Sequence, residues 1–257
     1  MRNIWAIYKK EMRSYFISPI AYVILFIFSL ISGYFFFTIV GTYSLMSSQY
    51  GQLPYYQELL NIEEFVVSPL FSNLGVVMLF LIPMLTMRLI AEEKGMGTLK
   101  LLLSHPVRDV EVLGAKYLAA LSMLAAMLLL TFPVPLFLFA YGKPELAPLL
   151  CNYLGIFLMG GSFIALGLFA SAITERQVIA SVLTFGALIL FWVINWAQNL
   201  TEMNMGIIFE DLSIFTHFEN FTKGIIITHD VVYYVVFSGF FLFLAYTALQ
   251  SRSWRSK

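Results

Sequence analysis

The stretch IAYVILFIFSLISGYFFFTIV, residues 20–40, contains no charged side chain. A helix needs about 20 apolar residues to cross a hydrocarbon layer of about 30 Å, where each backbone N–H and C=O must find its partner within the segment. Residues 20–40 meet that length. Five further runs do the same: Pro69 to Met87, Val112 to Ala140, Leu149 to Ile173, Val178 to Asn199 and Val231 to Gln250. The sequence thus predicts an all-α polytopic membrane protein of six transmembrane helices, with residues 1–257 forming one membrane domain. Its 60% hydrophobic and 12% charged composition departs from the roughly 45–50% apolar and 25% charged of soluble domains in the same direction. No small-x-small cleavage site follows the first run, which reads as a retained helix and not a removed signal peptide.

Net charge is zero, but the charges are segregated. Thirteen of the fifteen Lys and Arg fall in four places: Arg2, Lys9, Lys10 and Arg13 at the start; Arg88, Lys94, Lys100, Arg108 and Lys116 between the second and third runs; Arg176 between the fourth and fifth; and Arg252, Arg255 and Lys257 at the end. The alternate connections hold Lys143 and Lys223 together with nine acids. Basic residues collect on the cytoplasmic side, so both termini are expected there. Tyr43, Tyr141, Tyr153, Trp196, Tyr233 and Tyr234 fall near the outer ends and Tyr117 and Trp254 near the inner ones, where headgroup-level aromatics are expected. A global basic excess that would suggest nucleic acid is absent, and the single Cys151 can form no intrachain disulfide. No pair of Cys or His has the spacing of a zinc site, and no metal or cofactor is expected on this chain.

Before the first span, Ile4, Trp5, Tyr8, Met12, Tyr15 and Phe16 share one helical face, and Lys9, Lys10, Arg13 and Ser14 the other. Residues 1–19 read as an interfacial helix lying on lipid, with a plain positive anchor as the alternative. Ser18-Pro19 breaks it from the membrane region of residues 20–250, and 251–257 form a basic tail. Pro133 and Pro135 should bend the outer end of the third span, as a structural kink or a gate. The outer connections, 41–68 and 200–230, do not read as separate domains, and short re-entrant or interfacial helices fit the second.

Residues 91–121, AEEKGMGTLKLLLSHPVRDVEVLGAKYLAAL, carry the most distinctive pattern. Glu92, Glu93 and Lys94 leave the membrane, and Gly95 and Gly97 supply a turn. Thr98 is a candidate N-cap, after which Leu99, Leu102 and Leu103 fall at i, i+3 and i+4 until Pro106 stops the helix. Asp109 is a candidate cap for the next span. The result is a short cytoplasmic helix with an apolar stripe that its own loop does not cover. Headgroups, the protein's own helix ends or a groove on a cytoplasmic partner could each receive it.

The same region resembles the connection between helices two and three of ABC-2 type transporter permeases, approximately EEK-x-x-GTLE-x-LL-x-x-PV. Glu92, Glu93, Lys94, Gly97, Thr98, Leu99, Leu102, Leu103, Pro106 and Val107 match, and Lys100 replaces the usual acid. IYKKEMRSYFISPIAYVILFIFSLISGYFFF, from Ile7, and LGIFLMGGSFIALGLFASAITERQVIAS, from Leu154, resemble the gliding-motility-type permeases of that family. The resemblance implies a coupling helix over Glu92 to His105, docked in a separate P-loop ATPase that carries the ATP and Mg. It also implies an elbow helix over Ile4 to Phe16, including Trp5, Tyr8, Lys9, Met12 and Arg13, on the inner leaflet. Two permeases, identical or related, would pair near their first and fifth helices in a prokaryotic plasma membrane, with scope for a periplasmic or membrane accessory protein.

Other classes fare worse. No G-x-x-x-x-G-K-[ST] stretch is present, so this chain cannot cradle ATP by that loop. The spans lack the internal acids, His and Arg that an ion-coupled carrier would need. Ser162 resembles a nucleophile, but His105, His217 and His229 lie outside the predicted spans, so no base activates it. Gly161, Ala165, Gly167 and Ser171 read instead as small residues that let helices approach. Asn195 and Gln198 could touch substrate or bond across a permease interface, and Trp192 and Trp196 could stack on a ligand or anchor to headgroups. A membrane scaffold and a channel remain the alternatives to an ATP-driven permease.

Overall fold

In the computed structural model, which describes residues 2–50, 61–98, 108–141, 145–197 and 212–255, the described chain is helical and without strands. Helix α1 (Arg2–Ile17) precedes α2 (Pro19–Tyr50). A π-helical turn (Glu63–Val67) opens α3 (Ser68–Thr86), followed by the short α4 (Ala91–Gly95). Next come α5 (Asp109–Leu130), α6 (Pro133–Tyr141), α7 (Leu146–Ile173) and α8 (Gln177–Ala197). Helices α9 (Ile214–Thr222) and α10 (Thr228–Arg255) complete the described fold. Among the described residues, six helical stretches are long and apolar enough to cross a membrane, the third made of α5 and α6 together.

The bundle is built around α7. Of its most apolar window 78% is buried within the protein, against 17%, 17% and 11% for α2, α8 and α10. Its small residues explain the position. A Cβ on Gly167 would sit 2.2 Å from Thr86 Oγ1, and one on Gly155 would sit 2.5 Å from Phe221 Cβ, so α3 and α9 press directly on the α7 backbone. Gly167→Ala is therefore expected to cost about 1–3 kcal/mol by overpacking. A Cβ on Gly114 meets nothing within 4 Å. Thermal unfolding in detergent should show a lower midpoint for Gly167→Ala and no loss for Gly114→Ala. The sparsely buried α2, α8 and α10 leave apolar faces exposed on the outside of the bundle.

Several expectations shift in detail. The first span is helical through Tyr50, ten residues beyond Val40. Its Tyr43, Ser44 and Ser47 continue a helix already nucleated, and Pro54 is the first proline after Pro19. At Pro133 the chain breaks into a turn over Thr131 and Phe132, as Pro at that position demands. Asp109 is the first residue of α5 and not its cap; the Arg108 N–H donates to Glu111 Oε2 at 3.2 Å instead. Helix α10 runs to Arg255, into the stretch read as a tail. Tyr234 and Tyr117 turn inward: Tyr234 is buried and donates to the Ile214 carbonyl at 2.8 Å, and Tyr117 donates to the Gly161 carbonyl at 3.3 Å. Each hydroxyl finds an acceptor inside the bundle, which a headgroup position would otherwise supply.

Within the second long connection, α9 is a short amphipathic helix packed on α7. Ser213 caps it by accepting from the Thr216 N–H, and its inward face carries Ile214, Phe215, Phe218 and Phe221. Gly224, at φ +76°, turns the chain back into α10, a left-handed conformation that suits glycine.

Candidate functional site

The site forms where α1 lies across the ends of the spans. Ile7 packs with Val112 and Ala115 of α5, and Tyr15 is buried with its hydroxyl donating to the Leu85 carbonyl at 3.2 Å. Positions 7, 11 and 15 repeat at helical spacing, so the face against the bundle includes a carboxylate, Glu11, which is 9% exposed. The face drawn from apolar residues alone is thus rotated. Trp5 and Phe16 stay exposed, while Tyr8 and Met12 are half-buried; Lys9 and Arg13 remain on the exposed side. Trp5 stacks on Tyr8 at 5.1 Å, and Tyr8 hydrogen-bonds Ser122 at 2.9 Å.

Glu11 is answered by Lys116 of α5, whose side chain is 1% exposed and lies 2.8 Å from Glu11 Oε1. The same ammonium sits 3.0 Å from Glu93 Oε2, close enough for an ion pair but not aligned as a hydrogen bond. Lys10 closes the group by donating to Glu93 Oε1 at 2.8 Å. Two ammonium groups and two carboxylates thus join α1, α4 and α5 in one neutral cluster. An unpaired charge there would be costly, so the three elements are fixed together.

Residues 87–97 are clamped from a second side by α7. Ser171 Oγ accepts from the Ile90 and Ala91 N–H groups at 3.0 and 2.9 Å and donates to the Met87 carbonyl at 3.2 Å. Lys94 donates to the Ala172 carbonyl. A Cβ on Gly95 would sit 2.8 Å from the Glu175 carbonyl oxygen, in the turn before α8. Arg88 pairs with Glu92 at 3.0 Å and donates to Ser18 Oγ at 2.6 Å, holding the joint between α1 and α2. Gly97, at φ +71°, then redirects the chain. Thr98 Oγ1 donates to the Glu93 carbonyl at 3.3 Å, closing the preceding turn, and the backbone it would cap lies outside the described residues.

The structure therefore brings Glu92, Glu93, Gly97 and Thr98 to one platform with Tyr8 and Met12 of α1 nearby. Leu99, Leu102, Leu103 and Pro106 lie outside the described residues, as does Gln198. Trp192 is half-buried against the core from α8, away from the platform sequence; Asn195 lies near the end of the same helix. Glu11, Lys116 and Ser171 were not legible as site residues. A carboxylate in register with Tyr8 and Tyr15 and a lysine two turns into α5 are the signals that could have found the first two.

Burial pulls the Lys10 ammonium down, but its hydrogen bond and charge pairing with Glu93, joined by Glu11, outweigh that and raise it above 10.5. A group raised on folding stabilises fully below its unfolded value and loses that contribution as pH rises through the folded one. The Lys10 contact thus persists through the neutral range. Being half-exposed, it contributes little by itself.

Elsewhere, Ser162 Oγ lies among the Leu158 and Tyr234 carbonyls and Ser238 Oγ at 3.2–3.3 Å, a helix-packing contact without a base. A groove of about 510 Å³ opens between α2 and α6, lined by Val40, Tyr43, Ser44, Phe137 and Leu138 among others.

A six-span helical bundle with an ion-paired platform at one end defines a polytopic membrane protein. The chain matches the ABC-2 family transporter protein over residues 5–250 and belongs to that family. It is the membrane-spanning permease subunit of an ABC transporter, a subunit that is not itself catalytic and whose family works with an ATP-binding subunit. No curated protein matches it.

Proposed function

We propose that this permease is an exporter subunit of a prokaryotic plasma membrane, with both termini in the cytoplasm. It works as a homodimer or related heterodimer, driven by a separate P-loop ATPase that binds the ATP and Mg. The ATPase receives the apolar stripe Leu99, Leu102 and Leu103 in a groove. ATP binding draws the two ATPase subunits together and displaces that helix. Gly97 joins it to the clamped platform, so the displacement passes through Glu93 to α1 and α5 and through Ser171 to α7. A ligand shifts such an equilibrium only by its differential affinity for the two states, which here is the ATPase's preference for ATP in the closed arrangement.

One observation supports this reading: Glu93, six residues before Leu99, is ion-paired to the buried Lys116 of α5 and to Lys10 of α1, which ties the start of this connection to two other elements. The groove between α2 and α6, apolar with the hydroxyls of Ser44, Ser47 and Ser48, suits an amphipathic cargo. Purification of the tagged chain from its native membrane tests the assignment. A stoichiometric P-loop ATPase that hydrolyses ATP in the complex is expected. A chain that purifies intact without such a subunit, and whose membranes move no solute on ATP addition, would leave the scaffold reading in its place.

A further inference from the structure

At the end of the bundle opposite α1, the turn between α9 and α10 gathers His217, His229 and Asp230. His217 Nδ1 lies 2.7 Å from Asp230 Oδ1, and His229 Nδ1 lies 3.7 Å from the same oxygen. The three donor atoms fall within 4.8 Å of one another. They stand up to thirteen residues apart and follow no metal-binding spacing; the reversal at Gly224 is what brings them together.

Two imidazoles and a carboxylate form the donor set of a borderline divalent ion such as Zn²⁺. Metal–ligand bonds of about 2.0–2.2 Å place two donors of a tetrahedral site roughly 3.3 Å apart. The 2.7 and 3.7 Å distances to Asp230 Oδ1 bracket that spacing and all three donor atoms lie within 4.8 Å, so side-chain adjustment of the exposed His229 would bring them around one ion. The surroundings resemble an outer shell that orients ligands. Asn220 Nδ2 donates to Asp230 Oδ2 at 2.9 Å, fixing the carboxylate and leaving Oδ1 toward the imidazoles. Tyr233 stacks on the His217 ring at 4.0 Å and 27°, fixing its plane. His217 and Asp230 are buried, whereas His229 has a side chain 65% exposed and provides the entry path.

The geometry points to a divalent transition-metal site made by His217, His229 and Asp230, of the Zn²⁺ class, with a fourth position open to water. Occupancy would fasten α9 to the first turn of α10 and so stiffen the hairpin packed on α7. Mg²⁺ and Ca²⁺, which favour all-oxygen cages, are poor matches for this set.

The test uses the full-length chain in detergent, purified without a polyhistidine tag and stripped with EDTA. Wild type is expected to bind one Zn²⁺ per chain in calorimetry, to give with Co²⁺ the visible absorption of a four-coordinate N/O site, and to unfold at a higher temperature with Zn²⁺ but not Mg²⁺. His229→Gln alters an exposed side chain and should unfold like wild type in EDTA, while its Zn²⁺ affinity falls at least tenfold. Asp230→Asn should lose the Co²⁺ spectrum. Absence of Zn²⁺ binding to wild type, or binding unchanged by His229→Gln, would overturn the assignment and leave a structural His217–Asp230 pair.

Discussion

Lys116→Met is expected to destabilise the protein by about 3–5 kcal/mol, the cost of removing one partner from a buried ion pair. The lysine side chain is 1% exposed, and those of Glu11 and Glu93 are 11% and 12% exposed. Without the ammonium, Glu11 loses the partner at 2.8 Å, and Glu93 keeps only the half-exposed Lys10. Two carboxylates then face one another with little water to screen them. Replacing all three, as Glu11→Gln, Glu93→Gln and Lys116→Met, should recover much of the loss, because an apolar or neutral substitute for a whole buried cluster is often tolerated. Lys10→Ala should cost no more than about 1 kcal/mol. Thermal and chemical unfolding in detergent would rank the variants. A Lys116→Met protein as stable as wild type would show that the cluster does not hold α1 to the platform.

Leu102→Asp is expected to have the larger functional effect while leaving insertion and folding unchanged. A leucine seated in a groove contributes about 1.5–3 kcal/mol by burial, and an aspartate in its place adds the cost of desolvating an unpaired charge. Together these predict at least a hundredfold weaker association with the ATPase and loss of transport. Leu99→Asp should behave alike, because the i, i+3 spacing of 99 and 102 puts both on one face of the helix expected from the sequence. Lys100→Ala, off the stripe, should retain the complex. Gel filtration of the variants in detergent would confirm intact permease, and ATPase recovery on the tagged chain would read the association. Normal recovery with both aspartate variants would remove the coupling role of this stripe.

The spans were legible because lipid leaves a helix few choices: about 20 apolar residues must run together. The Pro133 break and the turn at Gly97 were legible for an equally local reason, a missing donor in one case and an accessible left-handed conformation in the other. The length of α2 was under-read, since the polar residues from Tyr43 to Gln49 end the apolar run without ending the helix. What the sequence concealed depends on approach through space. Lys10, Glu11, Glu93 and Lys116 lie on three elements and become one cluster only when α1 folds across α5. Taken singly, Glu93 looked like a residue leaving the membrane and Lys116 like one more basic residue at a span end. Ser171 looked like a small residue for helix contact, yet its hydroxyl serves three backbone groups of the connection. His217, His229 and Asp230 were hidden for the same reason, with a glycine turn doing in space what no spacing shows in sequence.

If the stripe beyond Thr98 is seated in the ATPase as proposed, a crosslinker attached at position 102 reaches that subunit. Native Cys151 is buried, so Leu102→Cys in a Cys151→Ala background provides one reactive thiol for a short photoactivatable crosslinker. With the ATPase present, a single crosslink to that subunit is expected, forming or strengthening with ATP and Mg, and none from a cysteine at Ser47 on the groove between α2 and α6. A thiol at position 102 that labels lipid alone, or reaches the ATPase no better than one at Ser47, would contradict that seating.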